Sequence, residues 1–181
     1  MTSYCDYCNT HPEDTFNKAY HDTEYGFPLK DDNLLFERFI LEINQAGLSW
    51  ITILKKADHF RNAYHGFDIE KIAAYGDEDI ARLLADAGII RNRLKINAAI
   101  VNAQRVLELR SDSGSFKGWL DHNHPRSKEE WVKLFKKTFV FTGGEIVNEF
   151  LISTGYLPGA HDESCHIYRR VASLRPAWMR G

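Results

Sequence analysis

The chain of 181 residues is poor in cysteine, with three in all, and has five prolines. Cys5, Cys8 and Cys165 are too few, and odd in number, for a disulfide framework; they point to a reduced compartment, with metal binding or a plain core role for the thiols. No apolar run approaches the ~20 residues needed to span a bilayer. The start, Met1 to Cys8, has neither the basic onset nor the apolar stretch of a secretory signal. A soluble, cytoplasmic protein is expected. There is no internal repeat, no low-complexity segment and no convincing run of β alternation, which sets aside solenoids and sheet folds. Nor is there an excess of one charge: 23 Lys and Arg face 25 Asp and Glu, for a net charge of −2. By itself that balance argues weakly against a nucleic-acid partner.

The distribution of charge says more than its sum. Glu13 to Asp86 holds 8 basic and 15 acidic residues, whereas Arg91 to Lys137 holds 11 basic and 5 acidic. One face can then meet phosphates while the molecule stays near neutral; the alternative is two solvated faces that merely neutralise each other. Hydrophobic residues make up 44% and aromatics 13%, ample for a packed core. Helical periodicity runs through 33–46, 50–64, 69–75, 77–87, 92–109, 128–137 and 145–154. Ser111–Gly114 and His124-Pro125 read as breaks, and the tail 166–181 carries no clear pattern. Short helices of unequal length predict an all-α, irregular array in a single domain over 1–181 rather than a simple bundle.

One carboxylate stands out. On a helical wheel of 33–46, Leu35, Phe39, Glu42 and Ala46 share a stripe. A carboxylate there is expensive unless paired or hydrogen-bonded, so Glu42 is either a buried structural glutamate or a pocket group awaiting a polar or cationic ligand. Trp50, behind Gly47 and a capping Ser49, can present a flat face to a planar ligand or simply fill the core. Tyr20, beside His21 and Asp22, is another aromatic in a polar setting.

Leu83 to Lys95 reads as two helices around a tight turn at Gly88, a residue suited to a left-handed helix cap. Arg91, Arg93 and Lys95 cluster where the second helix begins. Free amides, the helix dipole and added positive charge make a phosphate site there; the alternative is a helical hairpin with solvated arginines. His161-x-x-x-Cys165 has the spacing of a metal pair, and Cys5 and His21 can complete a tetrahedral zinc site. Cys8 and His166 compete as ligands.

Taken together, these segments resemble the DNA-3-methyladenine glycosylase I family. The resemblance rests on Ala19-Tyr20-His21-Asp22-x-Glu24-Tyr25-Gly26-x-Pro28, on Leu41-Glu42-x-x-Gln45-Ala46-Gly47-Leu48-Ser49-Trp50-Ile51-Thr52, and on Asp86-Ala87-Gly88-Ile89-Ile90-Arg91, in that order, with the Cys/His set at either end. It implies a helix-hairpin-helix glycosylase fold in which one structural Zn2+ joins Cys5 and His21 to His161 and Cys165. It implies that Glu42 contacts the damaged base and that Tyr20 and Trp50 stack on it; the DNA phosphate contacts expected from the turn and helix start are those of Gly88, Arg91, Arg93 and Lys95. The implied reaction is hydrolysis of the N-glycosidic bond of 3-methyladenine, leaving an abasic site; with no evident lysine nucleophile no strand cleavage is expected, the partner expected is double-stranded DNA, and a monomer is the default. The sequence departs from the family pattern at Tyr7 and Tyr25, where tryptophan is common, and at Asn17, where a pocket-side tyrosine is usual. It departs again at Thr142-Gly143-Gly144-Glu145, where Glu145 adds negative charge near the DNA-facing side. Binding of DNA without turnover, or excision of another alkylated base, are the alternatives.

Overall fold

The computed structural model describes residues 3–180. Met1, Thr2 and Gly181 lie outside it, and with them the first two residues of the segment read for a secretory signal and the last residue of the tail. Among the described residues every regular element is helical, as expected. None of these helices is long and apolar enough to cross a membrane.

The centre of the array is α3 (Asp32–Gln45), which starts where Asp31 accepts from the Leu34 amide. Residues Leu35 through Asn44 are all buried, so this helix is enclosed on every side rather than amphipathic. Against it pack α4 (Trp50–Ala63), α7 (Arg93–Ser113), α8 (Phe116–Asn123) and α10 (Gly144–Ser153). Asp32 fastens the start of α8, accepting from the amides of Phe116 and Lys117 at 2.9 Å each. The core beneath is aromatic. Phe39 lies edge-on to Phe135 and Phe139 with centroids 5.6 and 5.2 Å apart, and Phe116 and Phe150 stack in parallel. Burial of such rings dominates the stability of a domain this size.

The remaining helices frame this centre. They are α1 (Tyr4–Thr10), α2 (Thr15–Thr23), α5 (Ile69–Ala73), α6 (Asp77–Ala85), α9 (Lys128–Thr138) and α11 (Tyr168–Ser173). Caps fix most starts: Ser3 on the Asp6 amide, Asp14 on Asn17, Asp68 on Lys71, and a reciprocal box between Ser127 and Glu130. Helix α7 runs four residues beyond the expected Leu109, through Ser111–Ser113. Gly114, at φ 74°, stops it by taking the left-handed conformation that other residues resist. The tail forms α11 and a single 3-10 turn at Ala177–Met179. A second, smaller apolar cluster of Phe27, Ile167 and Val171 packs around Cys5 and Cys165.

Candidate base pocket, metal cluster and nucleic-acid interface

Helix α2 carries two neighbouring residues that point to different places. His21 turns inward to Cys5, His161 and Cys165. The four ligand atoms lie within 4.8 Å of one another, and all four residues are buried. The Cys5 Sγ is 3.3 Å from His21 Nε2 and 3.7 Å from His161 Nδ1; the Cys165 Sγ is 3.7 and 3.8 Å from the same two nitrogens. Ligand atoms around one tetrahedral ion, bonded at about 2.0–2.3 Å, stand about 3.3–3.8 Å apart. The outer ring nitrogens are also held: His21 Nδ1 is 2.7 Å from Asp22 Oδ1, and His161 Nε2 is 2.7 Å from the Tyr25 carbonyl. Such partners fix tautomer and ring direction in metal sites. The donor set therefore fits a metal ion. Cys8 is turned away, its thiol donating to the Asn17 carbonyl, and His166 lies against Asp22 on the surface.

Tyr20 turns the other way, into a cavity of about 340 Å³ lined by Tyr4, Tyr20, Tyr25, Glu42, Gln45, Trp50 and Glu149. Glu42, within the enclosed stretch of α3, is only 4% exposed. Burial, then the nearby Glu149 carboxylate, push its pKa up to about 8, with Arg38 opposing. Tyr20 and Trp50 adjoin with centroids 5.1 Å apart and planes at 60°. They form one angled wall rather than two parallel jaws. Among the described residues the Tyr20 hydroxyl and the Trp50 Nε1 are buried without a hydrogen-bond partner. Such groups lose their hydration unless a ligand replaces it. The wall is braced from behind: the Arg38 guanidinium sits 5.0 Å over the Tyr20 ring and donates to the Ser153 carbonyl and to Glu24.

The expected phosphate site needs two corrections. Gly88 is not in the left-handed region, and its amide already donates to Asp86 Oδ1 at 2.7 Å. What demands glycine there is crowding, since a Cβ would stand 2.9 Å from the His59 ring and 3.0 Å from Asp86. Lys95 is 5% exposed, and its ammonium donates to the carbonyls of Asn44 and Ala46 at 2.8 and 2.7 Å. It neutralises the C-terminal end of α3 instead of facing solvent. Arg91 and Arg93 remain exposed at the start of α7, with Asn92 capping between them. Lys56, which the sequence reading missed, reaches the same turn by donating to the Ala87 carbonyl.

A family model for methyladenine glycosylases matches residues 9–134. The chain belongs to the methyladenine glycosylase family. It is 36% identical over 174 residues to a DNA-3-methyladenine glycosylase of Haemophilus influenzae, an alignment covering 86% of this chain and 92% of that protein. It is 48% identical over 109 residues to DNA-3-methyladenine glycosylase 1 of Escherichia coli, covering 60% of this chain but only 58% of that relative. A solved structure addressing 3-methyladenine recognition by the Staphylococcus aureus 3-methyladenine DNA glycosylase I superposes with a TM-score of 0.78 at 31% identity, covering 88% of this chain and 95% of that one. A crystal structure of 3-methyladenine DNA glycosylase I gives 0.75 at 37% identity, covering 83% and 93%. The fold is therefore that of this glycosylase family.

The departures from the family pattern acquire a physical meaning in this fold. Asn17 is buried, and its side-chain oxygen accepts from the Tyr4 hydroxyl at 2.8 Å. Tyr4, from α1, thus brings an aromatic ring to the cavity wall that Asn17 cannot supply. Tyr25 packs edge-on to Tyr4 at 5.2 Å and donates to Glu149 Oε2 at 3.3 Å. Tyr7 stacks on His11 and donates to Asp14, away from the cavity. Glu145 is exposed and paired with Lys128 at 3.1 Å, so its charge is locally countered.

Proposed function

We infer that this protein is a monofunctional glycosylase that hydrolyses the N-glycosidic bond of 3-methyladenine in alkylated double-stranded DNA. The observation that carries this reading is Glu42: a buried carboxylate, with no cation hydrogen-bonded to it, in a cavity walled by aromatic rings. Alkylation at N3 makes the base a cation and a good leaving group. An extruded cationic base gains from aromatic faces and, by displacing the proton from Glu42, from a desolvated carboxylate beside it, and a neutral base gains far less. The Trp50 Nε1 and the Tyr20 hydroxyl add polar contacts for the same ligand. No lysine lines the cavity, which suits hydrolysis by water rather than an imine route with strand cleavage.

In this reading Glu42 holds the base and Tyr20 and Trp50 stack against it, while Arg91 and Arg93 grip phosphates at the start of α7, with α6, the turn and α7 serving as a helix-hairpin-helix module. Leu48 is exposed beside Gln45, whose amide donates to its carbonyl, and is placed to fill the stack that the extruded base vacates. The metal is Zn2+, one per chain, held by Cys5, His21, His161 and Cys165, and it supplies structural cross-linking. The chain acts as a single-domain, cytoplasmic monomer. The test is release of free base from methylated duplex DNA by the wild type and by Glu42→Gln. Release of 3-methyladenine with a loss of at least about 100-fold in the variant is expected; equal release by both removes Glu42 from the chemistry.

A further inference from the structure

The cavity holds a second carboxylate. Glu149 comes from α10, on the far side from α3, and lines the same space as Glu42. Its Oε2 accepts from the Tyr25 hydroxyl. The other groups facing the pair are the phenols of Tyr4 and Tyr20 and the amide of Gln45. The nearby cations are engaged elsewhere. Arg38 donates to Ser153 and Glu24, and Lys128 is paired with Glu145, the other acid of α10.

Two carboxylates in one desolvated space oppose each other's ionisation, and the pair titrates in steps that belong to both. Burial raises Glu149 from its ordinary value, against the hydrogen bond from Tyr25, as burial raises Glu42. With Glu42 pushed up to about 8, the pair favours holding a proton near neutral pH. The ionised member accepts a hydrogen bond and balances positive charge. The protonated member donates. Adenine presents the complement side by side, an amino donor at N6 and a ring acceptor at N7, whereas guanine presents two acceptors, O6 and N7.

We propose that Glu149 is a second, specificity-determining reader of the base, which acts with Glu42 as a donor–acceptor pair that takes alkylated adenine over alkylated guanine. This rests on the glycosylase reading above. Duplex DNA methylated at purine ring nitrogens carries both 3-methyladenine and 3-methylguanine, which keeps O6 and N7 as acceptors, so one substrate supplies both bases. Single-turnover release is followed from about pH 6 to 9.5 for the wild type, Glu149→Gln and Glu149→Ser. The wild type prefers adenine, and that preference declines as pH rises past about 8 and the shared proton is lost. Glu149→Gln keeps the preference with a flattened pH profile, because an amide donates at every pH. Glu149→Ser loses at least about tenfold in the adenine-to-guanine ratio at neutral pH. Wild-type ratios and profiles in both variants overturn the proposal while leaving the glycosylase reading intact. Absence of base release by the wild type at every pH overturns both. Carboxyl-carbon NMR of the free protein reads the coupling without turnover: Glu42 titrates lower in Glu149→Gln, and an unmoved Glu42 overturns the pairing.

Discussion

Tyr20 and His21 are consecutive in α2, yet they serve two buried polar sites built on opposite principles. Around His21 each ligand atom faces others at distances suited to one ion, and the outer nitrogens are tied to Asp22 and Tyr25. Around Tyr20 the polar groups are left short of partners: its own hydroxyl, the Trp50 Nε1 and a carboxylate with a raised pKa. The first arrangement is closed and suits a structural role. The second leaves buried groups that a ligand can satisfy, and unpartnered burial destabilises the fold. Polar burial alone does not mark function; what separates the two sites is whether the protein itself satisfies the buried groups.

The comparison is broken most forcefully at the Cys/His cluster. Cys165→Ser, or exhaustive chelation, lowers unfolding stability by more than about 3 kcal/mol, measured by thermal or urea unfolding. Base release per folded molecule, at a temperature where the variant is folded, changes far less. Loss of release at unchanged stability makes the ion part of the chemistry and erases the distinction.

At the open site the expectation has the opposite sign. Glu42→Gln loses release but gains stability. The folded-state pKa of Glu42 is raised from 4.5 to about 8, so its favourable contribution is complete below pH 4.5 and disappears as pH rises through 8. Gln escapes that loss, and the variant is more stable than the wild type by about 1–3 kcal/mol at pH 9, with the two converging below about pH 5. Urea unfolding across that range tests it; a gap independent of pH means that Glu42 is not held proton-bound.

Smaller effects sharpen the division between internal and DNA-facing cations. Lys95→Met costs about 1–3 kcal/mol, because it leaves the Asn44 and Ala46 carbonyls without their donor, and it does not change the salt slope of DNA binding. Arg91→Ala leaves stability nearly unchanged and reduces that slope by about one. A slope changed by Lys95→Met and untouched by Arg91→Ala reverses the assignment.

Much of this was legible in sequence wherever local chemistry decides. Caps at Asp31, Asp68 and Ser127 announced α3, α5 and α9, and the apolar stripe through Leu35 and Phe39 exposed Glu42. Helices α1, α2 and α8 escaped notice because they are short, held by caps such as Ser3 and by tertiary contacts such as Asp32 on α8. Lys95 misled for a related reason: its charge suggests the surface, but the carbonyls that bury it come from a helix end some fifty positions earlier. Glu149 was invisible because Glu145, one turn earlier on α10, makes its face read as solvated; only the approach of Tyr25 and α3 gives it a buried partner.

The metal cluster has one more consequence, visible only when the chain is considered as a polymer. An ion that joins Cys5 to His161 closes a loop of 156 residues. If the ion stays on both segments after denaturation, the disordered chain becomes a ring and forfeits end-to-end freedom worth about 5 kcal/mol, by the reasoning that applies to a covalent cross-link. An ion that leaves on unfolding contributes its binding energy instead, and stability then follows its free concentration. Chain entropy and mass action thus make different demands on the same four ligands, and a titration of unfolding against free metal separates them.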